Sequence, residues 1–120
     1  MKLLPPLRFR FHPDDQAEYG DGWTVYDEAA LLRIPARDLV EIERQIGMAV
    51  LSMMNRARAN FTDGNQAAMW VARRLAGDER PFAEFQPLVL LAEWEKVPEE
   101  SGDADPPAST SSPSPQTSVE

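Results

Sequence analysis

Residues 97–120 set the upper limit on what this chain can fold into. The segment holds 5 of the 11 prolines, 6 serines, 2 threonines and 5 acids, and contains no Lys, Arg or aromatic residue. Such a composition offers too little apolar surface to offset the entropy of ordering it, and predicts a disordered acidic C-terminal tail. Residues 1–96 remain, with all three Trp and all five Phe. That is material for one core, so they read as a single small domain.

Charge divides along the same line. Of the formal net charge of −8, the tail supplies −5; residues 1–96 set 12 Lys and Arg against 15 acids, or −3. Non-specific binding to nucleic acid or to an anionic membrane needs a basic face, so neither is expected as a partner. Residues 33–80 are milder, with eight Arg and six acids, and leave room for a local basic patch. The absence of cysteine excludes disulfides, zinc–thiolate and iron–sulfur sites and thiol nucleophiles. Met1 to Pro6 is too short an apolar run for a signal peptide, and no run approaches the ~18 apolar residues of a membrane span. A soluble, cytoplasmic protein is expected, and Asn60-Phe61-Thr62 then matches the glycosylation pattern by chance. Ten Arg against two Lys, with abundant Ala and Pro, points to a GC-rich gene.

Leu7 to His12 alternate apolar and basic, which predicts a short strand with Leu7, Phe9 and Phe11 on one face. Pro13-Asp14-Asp15 reads as a turn ending it, Gly20-Asp21-Gly22 as a loop, and Trp23 to Tyr26 as a second strand able to pair with the first in a hairpin. From Ile34 the spacing becomes helical. Pro35 suits a first turn, Leu39, Ile42 and Ile46 form the buried stripe, and Gly47 is a stop. A second helix is predicted over Met48–Asn60, with Val50, Met53, Met54, Ala57 and Phe61 inward. A third covers about 65–76, with Ala68, Val71, Ala72 and Leu75 inward and Arg73-Arg74 near its C-terminal end. Pro81 to Phe85 opens a short helical turn. Periodicity does not decide between helix and strand for residues 88–94; Leu91, Ala92, Glu93 and Glu95 favour helix. The expected fold is mainly α: a small bundle of three to four helices with a short N-terminal β-hairpin and the disordered tail.

Little here carries catalytic chemistry. His12-Pro13-Asp14-Asp15 would need two further ligands to hold a metal, and turn formation explains it as well. Glu41/Glu43 and Glu93/Glu95 stand two apart, so on a helix neither pair converges. Gly20-Asp21-Gly22 lacks the third glycine and following helix of a phosphate loop. No enzyme activity, cofactor or metal is expected. The candidate binding residues are the arginines Arg44, Arg56, Arg58, Arg73 and Arg74, a docking surface for an acidic partner or simply solubilising cations. Met48, Met53, Met54 and Met69 suit either an adaptable groove or core filling. Trp70 and Trp94 belong to the core or its edge, with Trp70 placed to line a groove beside Met69 and Arg73. Met53, Met69, Trp70, Arg73 and Arg74 are therefore the candidate partner-binding set.

The order of features over residues 32–97 resembles a known family. Leu32-Arg33-Ile34-Pro35 and Leu39-Val40-Glu41-Ile42-Glu43 are followed by Ala67-Ala68-Met69-Trp70-Val71-Ala72-Arg73-Arg74-Leu75-Ala76-Gly77, an acidic and Pro-containing link, Phe82-Ala83-Glu84-Phe85, and a Leu-rich segment ending in alternating acids. This pattern is similar to that of the small tail assembly chaperones of long-tailed, non-contractile phages. The resemblance implies a non-enzymatic protein of the host cytoplasm, absent from the mature virion. Its partners would be the tape measure protein, which it keeps soluble, and the tail tube protein, which it helps recruit; a homo-oligomer is also compatible. It further implies a short form and a frameshifted long form, for which Asp105-Pro106-Pro107 can be encoded as a run of C. The alternatives are another phage interaction module, such as a head–tail connector, or an antitoxin-like adaptor.

Overall fold

The structure is a computed structural model in which residues 2–98 are described. Apart from Val97 and Pro98, the predicted tail and the Asp105–Pro107 segment lie outside the described residues.

Strand β1 (Leu7–Arg10) keeps the predicted alternation, with Phe9 buried among apolar neighbours and Arg8 and Arg10 on the opposite face. Pro13-Asp14-Asp15 does not form a simple turn; it opens helix α1 (Pro13–Tyr19). His12 is its N-cap, with Nδ1 accepting the Asp14 N–H at 3.1 Å, and the proline and both acids sit where a helix N-terminus favours them. Strand β2 (Thr24–Tyr26) pairs antiparallel with β1, in the register Leu7↔Tyr26 and Phe9↔Thr24. The predicted pairing is present, but a helix rather than a tight hairpin turn connects the two strands. Asp27 then caps a one-turn helix, α2 (Glu28–Leu31), that periodicity does not signal.

Three longer helices follow: α3 (Ala36–Ile46), α4 (Val50–Arg58) and α5 (Thr62–Leu75). Gly47 ends α3 at φ 76°, the left-handed conformation that glycine adopts without strain. Asn60 does the same for α4 at φ 64°, where the Asn60 and Phe61 amides donate to the carbonyls of Ala57 and Arg56. This reversal lays α5 against α4 so closely that a Cβ on Gly64 would stand 2.6 Å from the Ala57 nitrogen. Phe61 and Leu75, both predicted inward, are about half exposed, because each lies at an end of the helix pair, beyond the buried stretch of Ala67 to Ala72.

After 3-10 turns at Phe82–Glu84 and Val89–Leu91, the chain ends its described part in a third strand, β3 (Glu93–Lys96). Of the two readings left open for 88–94, the strand holds at Glu93 and Trp94, against the favoured helix. β3 pairs antiparallel with β1 at Arg8↔Glu95 and Arg10↔Glu93, and both pairs are ion paired. On the other face Trp94 meets Phe9 at 5.0 Å between ring centroids. Cross-strand charge and aromatic pairing outweigh the local helix preference of Ala92 and Glu93. The sheet order is β2-β1-β3. The described chain is therefore mainly helical, with five helices, and β3 extends the predicted β1–β2 pair to a three-stranded antiparallel sheet. Helix α5 packs against both α4 and β2, and the core runs from Phe9 and Phe11 through Met53, Met69 and Trp70 to Phe85.

Candidate docking surface

The predicted partner-binding residues separate into two groups. Met53 and Met69 are fully buried, and Trp70 is 2% exposed. The Trp70 indole donates to the Arg80 carbonyl at 2.8 Å and meets Phe82 edge-on at 5.5 Å. These three fill the core and present no surface to a partner. Arg73 and Arg74 lie nearer the surface. The Arg73 guanidinium donates to Asp78 Oδ2 at 3.0 and 3.2 Å and to the Thr24 hydroxyl at 3.4 Å. Burial alone would raise the Asp78 pKa; the Arg80 amide and the Arg73 guanidinium reverse this and hold it below the ordinary carboxylate value. Arg74 lies 5.6 Å from the Trp70 ring centroid.

Arg44, Arg56 and Arg58 are each engaged by an acid: Glu41, Asp63 and Glu28 respectively. Among the described residues, only Arg74 of the five-arginine set has no ion-pair partner.

Around Arg74 the surface forms a continuous groove. Its first half is lined by Trp23, by Val25 from β2 and by Ala30, Leu75 and Ala76, with Asp27 and Arg73 beside them. Its second half shares Ala30 and Leu75 and continues to Ile34 and Pro35, with Arg33, Arg74 and Asp38 beside them. Val25 and Leu75 are each about half exposed, so the strip is apolar and open to solvent. Trp23 is held in place by Arg8 and Arg10, whose guanidinium carbons lie 4.2 and 4.6 Å from its ring centroid.

No family model, curated protein or solved structure matches the chain. Among the described residues, no group of three or more His, Cys, Asp or Glu is placed to hold a metal ion, and His12 serves as the α1 cap. No described helix is long and apolar enough to cross a membrane.

Sequence reasoning missed three structural features. The periodicity that placed Leu75 inward ignores that the last turn of a helix can run past the core. Val25 alternates with the buried Thr24 and Tyr26, and that period-two signal was readable. Glu28 is 1% exposed, and only tertiary contact brings Arg58 to it.

Proposed function

We propose that the protein is a tail assembly chaperone of the long-tailed phage type, whose groove covers an amphipathic helix of the tape measure protein. The observation that carries this reading is the open strip of Val25, Ala30, Ile34 and Leu75, bordered by Arg33 and Arg74 on an otherwise acidic protein. An apolar strip of this kind fits the buried face of a partner helix, and the arginines beside it favour acidic residues next to that face. The pattern over residues 32–97 supports the same assignment. The acidic tail adds repulsion between loaded complexes and favours their solubility. On this reading the protein works without catalysis in the host cytoplasm, leaves before the virion matures and hands over the tail tube subunits as the tube grows.

The test is co-expression with a tape measure protein of such a phage. The wild-type chain is expected to keep that protein in the soluble fraction, and Leu75→Glu combined with Arg74→Glu to leave it insoluble without lowering the chaperone's own melting temperature. Equal solubility with and without the chaperone, or with the double variant, would refute the reading. The long form is tested in the gene. A slippery run near codons 105–107 and an open shifted frame are expected, and an immediate stop in that frame would withdraw the long form alone.

A further inference from the structure

The sheet has two outer strands: β2 lines the groove, and β3 lies on the opposite side of β1. The ladder between β1 and β3 fixes which backbone groups of β3 face outward. Val97 donates to the Pro6 carbonyl, so Pro6↔Val97 is a hydrogen-bonded pair. Alternation along an antiparallel ladder then makes Arg8↔Glu95 and Arg10↔Glu93 hydrogen-bonded as well. The N–H and C=O groups of Trp94 and Lys96 therefore point away from β1. Among the described residues they have no partner. Leu90 and Leu91, both exposed, leave apolar surface just before the same strand.

Side chains decide what can pair there. On one face Glu93 and Glu95 stand about half exposed beside Arg10 and Arg8; on the other, Trp94 covers Phe9. An added antiparallel strand meets both glutamates at non-hydrogen-bonded positions, where opposing side chains come closest. A second copy of β3 is a poor occupant. The two-fold register centred on Trp94 sets Glu93 opposite Glu95, and the one centred on Glu95 sets that residue opposite itself; like charges so placed destabilise a sheet. The chain beyond Pro98 is no better, since residues 99–120 contain acids and no Lys or Arg. We infer that the outer side of β3 receives, by antiparallel strand addition, an extended segment of another protein in which two basic residues flank an apolar one. The basic residues lie opposite Glu93 and Glu95, the apolar one opposite Trp94, and Trp94 and Lys96 supply the backbone hydrogen bonds. β1 is recognised in the same way from the inner side, where Arg8, Phe9 and Arg10 meet Glu95, Trp94 and Glu93 in that order.

The test titrates a capped peptide copying residues 7–11 into the isotope-labelled full chain. Saturable binding is expected, with hydrogen exchange slowed at the Trp94 and Lys96 amides and little changed at Glu93 and Glu95, which β1 already protects. The analogue with glutamate for both arginines is expected to bind roughly tenfold more weakly, because two opposite-charge pairs become like-charge pairs. Lys96→Pro removes an outward N–H that β1 does not use, so its melting temperature is expected to hold while peptide binding is lost. Absence of saturation, equal binding of the acidic analogue, or undiminished binding to Lys96→Pro would overturn the inference. So would slow exchange at Trp94 and Lys96 in the protein alone, which would mean that a second copy or the tail already occupies the strand. The peptide comparison uses the wild-type chain, and none of these outcomes depends on the groove at Leu75.

Discussion

Glu28 is a carboxylate almost out of reach of water, so its charge depends on its partners. Burial pushes its pKa up, but the hydrogen bonds from Arg58 and the Leu4 amide, together with the Arg58 charge, outweigh that and hold it below 4.5. A lowered folded-state pKa stabilises the fold above the ordinary carboxylate range. That contribution is lost as pH falls through the folded value. The melting temperature is therefore expected to drop between pH 5 and pH 3, and to drop less in Glu28→Gln, as thermal melts at several pH values would show. At pH 7 the same substitution is expected to destabilise by about 1–3 kcal/mol, the range for charged hydrogen bonds, because Arg58 stays partly solvated. Trp70→Ala belongs to a different class. It empties a packed site and leaves the Arg80 carbonyl without its donor, so a loss of about 3–5 kcal/mol is expected by urea denaturation. Against a total of about 5–15 kcal/mol, the variant stands near unfolding.

Among the elements, the α4–α5 pair carries the tightest constraint. Gly64→Ala gains helix propensity of about 1 kcal/mol. The new methyl, however, meets Ala57 nitrogen at 2.6 Å and Arg56 carbon at 2.7 Å, both backbone atoms that cannot swing aside. A net destabilisation of about 1–3 kcal/mol is expected. Gly22→Ala, which meets open space, is expected to stay within about 0.5 kcal/mol of wild type. Urea midpoints of the two variants check both. The α3, α4 and α5 helices were legible because each buries a stripe at helical spacing over nine residues or more, and Gly47 and Gly77 mark stops. Helices α1 and α2 have seven and four residues, too few to show a period, and are recognised only by their caps, His12 and Asp27. Strand β3 was hidden because its stabilising partners, Arg8 and Arg10, lie more than eighty positions earlier. For the same reason the arginine pairings, and with them the position of the groove, were not legible.

For the whole molecule, the sheet joins the two ends of the described chain. β1 is the central strand and β3 one of its two neighbours, so a chain ending at Pro98 is expected to melt cooperatively with full far-UV helical signal. One ending at Ala92 loses the Trp94 contacts to Phe9 and Tyr26 and both charge pairs, and is expected to lose that cooperativity. Circular dichroism melts of the two truncations distinguish these outcomes. The arrangement also has a consequence for synthesis. A ribosome adding ~5–20 residues per second needs roughly 4–17 s to travel from Arg10 to Lys96. During that interval β1 can pair with β2, but its other edge stays open while Phe9 lacks its covering tryptophan. The nascent chain thus has an interval in which an unfinished strand edge is exposed to its neighbours on the same message. Arg8 and Arg10, which later bind β3, are the residues that discourage pairing between two such edges by repulsion.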